Sequence, residues 1–453
     1  MAPSNVKLAA ALEALRQLQR AHPLVVRSRE LSRTNRDRLV KHGFLTPVIK
    51  GWLYVTDPTA RSGDTTPWYA AFWRFCARYC ESSFGERWHL SPQQSLDLHG
   101  ERTAVPEQLV LYSPKAQNNR LDLPFDTSLF GLRQQSMPPD VDLEIRDGLR
   151  LFGAEAALIK AGQTYLQQRP TEARVVLEGL IDDPSPLLRR LLDGGHSTTA
   201  GWLAGAFRDL GRGDVADEIV TTMRQADFDV RERSLKRASS ADVAAPRAER
   251  RAPPAHPIAR RLRQLWAQSR GPALAILDDK TAPLPRLASA EDFSASMEAI
   301  YEHDAYHSLS IEGYRITPEL VARVASGAWS PEDNAGHRRD EDALAARGYH
   351  QAFSELRDLA KATFARDQPQ LLRQHHRSWF RELFAPHVAV GLLEAGLLAG
   401  YRRHPVFLRG SRHVPPRWEI LGDAMAALFD LVEGEPHGVL RAILAHWLLG
   451  YIH

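Results

Sequence analysis

The stretch from Arg231 to Pro257, RERSLKRASSADVAAPRAERRAPPAHP, constrains the fold more than any other part of the chain. It is rich in Ala, Arg, Ser and Pro and almost free of large apolar side chains. Such a segment cannot bury enough surface to offset the entropy of ordering it, so it reads as a linker. The residues on its two sides must therefore build separate cores. A weaker break falls at Met137-Pro138-Pro139-Asp140, where prolines punctuate the chain. The expected organisation is a domain over 1–135, a helical domain over 140–230, the linker over 231–257 and a further domain over 258–453.

Composition narrows the classes. The 453 residues are 43% hydrophobic and 25% charged, ordinary values for globular domains long enough to bury their own cores. The net charge of +3 is small for this length, so any basic surface must be local. No window approaches the ~18 uninterrupted apolar residues of a membrane span. Residues 1–20 lack the apolar core of a signal peptide. The two cysteines, Cys76 and Cys80, are too few for a disulfide framework or a structural zinc site. They read as small core residues in a reducing, cytoplasmic protein with no membrane partner. His337, His350, His375 and His376 show no spacing with Cys or acidic residues that makes a metal site, and none is expected.

The N-terminal region reads as an α+β block. Leu8, Ala11, Leu12, Leu15 and Leu18 recur at helical spacing. A second helix is predicted over Arg29 to His42, ended by Gly43. Two short strands follow, Phe44 to Ile49 and Trp52 to Val55, joined around Lys50-Gly51. A helix followed by a β-hairpin is the layout of a winged helix-turn-helix. Between Arg27 and Lys50, seven Arg and Lys face two acids, leaving a local charge of +5. Phosphate neutralisation supplies most non-specific DNA affinity. Arg33, Asn35 and Arg36 would lie near the start of the second helix, where base edges are read, with Arg38 and Lys41 further along. Duplex DNA is therefore one expected partner; a solvated basic face on a docking domain is the other reading of the same charges. An aromatic helix from Pro67, a short helix within Leu90 to Gly100 and a strand at Leu109 to Tyr112 come next. The layout of residues 1–133 looks similar to the antitoxin-type regulators called AbiEi. Val141 to Arg231 is predicted to be helical throughout.

After the linker nearly every segment has helical period. Ser289 opens a helix with Asp292 three residues on. That helix leads to Ser308-Leu309-Ser310-Ile311-Glu312-Gly313. Thr317-Pro318-Glu319 then starts another helix with an N-cap and a proline at the first position. Glu312 thus sits at a helix C-terminus, where the macrodipole disfavours a carboxylate and calls for a compensating cation. The chain closes with Trp418 to Leu431 and His437 to Ile452, both helical, ahead of His453.

The hexapeptide has the form Ser/Thr-x-x-x-Glu-Gly/Asn and resembles the inhibitory helix of Fic-family proteins, which transfer AMP from ATP to a target hydroxyl. Tyr401 to Pro416 resembles that family's β-hairpin flap, with Pro405, Val406, Phe407 and Leu408 as its exposed strand. His437 to Ile452 resembles the helix before the catalytic loop. What the resemblance implies is a C-terminal all-α Fic domain with a β-hairpin flap. Ser308, Glu312 and Gly313 would then form the inhibitory motif, and His453 would be the general base that deprotonates a Ser, Thr or Tyr hydroxyl. The target protein would dock along the flap by main-chain hydrogen bonds. ATP and Mg2+ are the cofactors of a full family member. In the family the loop runs His-Pro-Phe-x-x-Gly-Asn-Gly-Arg, and its second arginine pairs with the inhibitory glutamate. This sequence stops at the first residue of that loop, so the polypeptide as given is expected to hold neither cofactor and to transfer no AMP. The alternative is a winged-helix DNA regulator of toxin–antitoxin type, whose degenerate Fic domain serves docking or dimerisation into a homodimer.

Overall fold

The computed structural model describes residues 4–58, 63–180, 183–234, 256–277, 289–329, 340–364, 366–398, 400–403, 405–406 and 411–452. The chain divides into two units: one of residues 1–268, 405–424 and 450–453, the other of residues 269–404 and 425–449.

The first unit opens with α1 (Ser4–Ala21), β1 (Val25–Arg27), α2 (Arg33–Lys41), β2 (Leu45–Ile49) and β3 (Trp52–Val55). The strands form an antiparallel sheet in the order β1-β3-β2. Strand period 2 divides the side chains between two cores. Val26 and Leu53 join Ala11, Leu15, Leu31, Leu39 and Leu45 under α1 and α2. Val25, Trp52 and Tyr54 face the opposite way, into the aromatic core of α3 (Thr66–Phe84). The helix predicted from Arg29 to His42 is broken. Ser28–Glu30 forms a single 3-10 turn, Leu31 is extended, and Ser32 starts α2 afresh by accepting the Asn35 N–H on its Oγ at 3.2 Å. Gly43, with φ +76°, ends it as the sequence implies.

Arg78 of α3 ties these pieces together. Its guanidinium donates to Glu30 at 2.7 Å and to the Val25 carbonyl, while Arg27 lies 4.7 Å over the Trp52 ring. A second sheet contains β4 (His89–Leu90), β5 (Gln108–Ser113), β6 (Asn119–Leu123) and β7 (Thr127–Arg133), in the order β4-β5-β7-β6. Within it β5 and β7 run parallel. α4 (Pro92–His99) lies between β4 and β5 in the chain.

The segment predicted to be helical from Val141 begins instead with a hairpin, β8 (Leu143–Arg146) and β9 (Leu149–Phe152). Asp147 and Gly148, both at positive φ, make its two-residue turn, the geometry that matches strand twist. Five helices follow: α5 (Ala154–Gln168), α6 (Pro170–Gly179), α7 (Ser185–Asp193), α8 (Ser197–Asp209) and α9 (Gly213–Gln225). They close around Leu158, Leu187, Leu191, Leu203, Phe207 and Ile219. Residues 231–234, read as the start of the linker, lie directly on α8. The Arg233 N–H donates to the Gly201 carbonyl at 3.0 Å, and a Cβ at Gly201 or Gly205 would overlap the Arg231 or Arg233 carbonyl. α10 (Pro257–Leu277) opens in this unit.

The second unit is helical among its described residues. α11 (Ala290–Ile311), α12 (Pro318–Ala325), α13 (Glu341–Ala362) and α14 (Leu371–Ala389) are joined by parts of α15 (Leu421–Gly434) and α16 (Gly438–Ile452). Ser289 and Thr317 cap α11 and α12 through the Asp292 and Leu320 N–H groups, as their spacing predicts. Tyr301, Ala305, Leu309, Val321 and Leu344 form the core. α13 and α14 cross in backbone contact at Gly348, where any Cβ would overlap the Leu383 carbonyl. The expected division into a mixed N-terminal region and an all-α C-terminal block is what the chain adopts.

Candidate functional site

Exposed cationic groups gather on α2 and the β2–β3 hairpin, where Arg33, Lys41 and Lys50 reach solvent. Leu39 is fully buried beneath α2, so the opposite face must point outward. A cleft of about 480 Å³ separates α2 from the hairpin and is lined by Arg36, Asp37, Lys41, Pro47, Lys50 and Trp52, among others. A second, of about 420 Å³, runs along the outer face of α2 past Arg33, Thr34, Arg38 and Lys41. The β2 strand bulges between Pro47 and Ile49 as it approaches the tip at Lys50-Gly51. Gly51, with φ +88°, makes that tip.

The five residues singled out on α2 have different surroundings. Arg33 is 88% exposed and only loosely paired with Asp37, at 3.7 Å. Lys41 is also exposed. Arg36 is held along the helix by two hydrogen bonds to Asp37, at 2.7 and 2.9 Å. Asn35 is half-buried, and its backbone N–H serves the Ser32 cap. Arg38 turns back to donate to the Lys7 carbonyl at 3.1 Å, locking α2 to α1. Asp37, one of the two acids in this stretch, is the anion that orients both Arg33 and Arg36.

In the second unit, α11 ends where the hexapeptide predicts. The Glu312 N–H donates to the Ser308 carbonyl at 3.3 Å, making Glu312 the C-cap, and Gly313 turns the chain at φ +96°. The Ser308 Oγ lies 3.4 Å from the Tyr349 hydroxyl, which donates to Asp304 at 2.5 Å. Glu312 is exposed, and among the described residues no cation pairs with it. Burial, with the nearby Glu341 and Glu312, pushes the Tyr314 phenol up.

His453, Phe407 and Leu408 lie outside the described residues. Pro405 and Val406 are described and form no strand. The following segment, expected to be part of a hairpin, bonds elsewhere in the first unit. The Arg412 carbonyl accepts the Val105 N–H at 2.9 Å, and the Val414 carbonyl accepts from Thr103.

Sequence reasoning missed a buried charge cluster in the first unit. Arg261 of α10 donates to Glu172 at 3.2 Å, to the Gly100 carbonyl at 3.0 Å and to the Tyr451 hydroxyl at 2.6 Å. Both charged side chains are only 9% exposed. The His413 ring bonds the Tyr451 carbonyl at 2.8 Å, and burial depresses its pKa. Spacing in sequence holds no signal for a group drawn from residues 100, 172, 261, 413 and 451.

Among the described residues no group of three or more His, Cys, Asp or Glu side chains gathers to hold a metal ion, and no helix is long and apolar enough to cross a membrane. Comparison of the chain with protein-family models, with curated proteins and with solved structures finds no match.

Proposed function

We propose that the N-terminal part of the first unit binds duplex DNA as a winged helix, with α2 in the major groove and the Lys50-Gly51 tip against the backbone. What carries this reading is the placement of Arg33 and Lys41, exposed on the outer face of a helix whose inner face is sealed by Leu39. The sheet order β1-β3-β2 sets the hairpin beside that helix. Arg33 near the helix start is a base-edge or phosphate donor, and Lys41 and Lys50 are phosphate ligands. Fluorescence anisotropy with duplex DNA over a salt series tests it. Binding should weaken steeply with salt, and Arg33→Ala or Lys41→Ala should each lower the log–log salt slope by about 1. No binding at low salt, or a slope unmoved by both substitutions, sinks the reading.

A second reading is favoured by the end of α11. The Ser308–Gly313 turn presents Glu312 at a helix terminus with its carboxylate exposed, as an inhibitory glutamate requires. On this reading the C-terminal block is a Fic-type domain that transfers AMP to protein hydroxyls and is restrained by Glu312. A polypeptide continued with His-Pro-Phe-x-x-Gly-Asn-Gly-Arg should incorporate label from ATP once Glu312 is replaced by Gly, and little before. A folded protein of that kind that binds ATP yet labels neither itself nor a cell extract would exclude it.

A further inference from the structure

We infer that α11 carries a two-histidine site for a divalent transition-metal ion on its exposed face, formed by His303 and His307. The two residues are four apart, so they stand one above the other on the helix. Both are exposed. Their ring centres are 4.3 Å apart and the rings are inclined at 74°. An ion bonded at about 2.0–2.1 Å to one nitrogen of each ring holds the ring centres roughly 4.5–5 Å apart. The pair therefore stands close to chelating separation, and a small rotation about the side-chain bonds closes the difference.

The surroundings favour binding. Ring contacts with each other and with Tyr306, 5.0 Å from His307, are the interactions these rings make among the described residues. Among the described residues no hydrogen bond or ion pair has to break for a nitrogen of either ring to take a metal. Asp304, the acid between them, is engaged by Tyr349. With no third ligand gathered among the described residues, the remaining coordination positions fall to water. Imidazole pairs of this kind suit Zn2+, Ni2+ and Cu2+ rather than Mg2+ or Ca2+.

Binding two ligands four residues apart requires the helix to be formed, so the metal stabilises helical α11 over its frayed state. The ligand His307 immediately precedes Ser308. Metal occupancy would thus hold the Ser308–Glu312 turn in place, a consequence that rests on the inhibitory reading of that turn; the site itself does not.

Titration calorimetry of the untagged full chain with Zn2+ tests the site. One Zn2+ should bind, and His303→Gln or His307→Gln should each weaken it about tenfold or more, because either removes the intramolecular second arm. The double variant, with neither imidazole left, should lose the site altogether. His375→Gln, a pair partner of Glu355 on another helix, should leave the affinity unchanged. In the unsubstituted chain, Zn2+ should slow amide hydrogen exchange over residues 300–312 more than over α13. Absence of Zn2+ binding, affinity indifferent to both single substitutions, a loss that follows His375 instead, or no slowing over 300–312 overturns the proposal. The calorimetric result is independent of any AMP transfer, so failure of the site and failure of the Fic reading are separable.

Discussion

The exposed face of α2 and the end of α11 each present charged groups beyond a sealed apolar face, yet they differ in how complete they are. The α2 face is made from about 25 consecutive residues, and its cations, their orienting acid and the adjacent hairpin all come from that stretch. The α11 turn presents one carboxylate and, among the described residues, no cation to meet it. A site whose parts are neighbours in sequence arrives assembled when its domain folds. One that needs a distant partner is only half specified by its own element.

The comparison can be broken hardest by undermining the foundation of each site. Leu39→Ala, which empties a fully buried position beneath α2, should cost about 2–5 kcal/mol and abolish the proposed DNA binding by loosening α2 from its core. Urea denaturation followed by Trp fluorescence measures the loss. Gly348→Ala in the helical block should cost about 1–3 kcal/mol or more, because the new methyl meets the backbone of α14 and no side chain can swing away. Amide exchange over α13 and α14 should quicken with it, and unchanged protection there would contradict their close approach at Gly348. Arg38→Ala is a smaller probe, expected to cost about 1 kcal/mol through the lost bond to the Lys7 carbonyl. It should move DNA affinity much less than Arg33→Ala, since its guanidinium faces α1.

Protonation gives the finest test. Burial depresses the pKa of His89, of His99, where Arg146 adds to the effect, and of His413, all in the first unit. An unfolded histidine takes up a proton near pH 6.5, while these folded ones resist it until lower pH. Their contribution is therefore fully present above about pH 7 and is lost as pH falls through about 6.5 towards the depressed values. The urea midpoint should drop between about pH 7.5 and pH 5.5. A midpoint that held or rose over that range would contradict the burial of these rings.

Local chemistry was the legible part of this sequence. Ser289, Thr317 and Gly43 announced their caps and turns, because a cap needs only a few adjacent residues. The mixed N-terminal and helical C-terminal character followed from hydrophobic period. The hairpin at Leu143–Phe152 was missed although Asp147-Gly148 signalled it, since Leu149, Leu151 and Phe152 also suit a helical reading. The break between Glu30 and Ser32 was missed for the same reason: the run has helical composition, and only the Ser32 cap interrupts it. Arg33 and Lys41 could be named from sequence, but not the turning of Arg38 towards α1. That direction depends on a carbonyl 31 residues away. Nor could the Gly201 and Gly205 seat for residues 231–234 be read, because a glycine on a helix looks like a weak point until something lies against it.

The cluster around Arg261 also says where this protein can be cut. A fragment ended at the apparent linker, near residue 234, would keep Glu172 and the close approach of Gly100 to it, where an added Cβ would sit 3.1 Å from the Glu172 backbone. It would leave behind the arginine that neutralises that carboxylate and the tyrosine that completes the arginine's bonds. Whatever burial that acid keeps without its cation is costly. The smallest autonomous N-terminal piece is therefore set by electrostatics rather than by composition, and it must take the first turns of α10 with it.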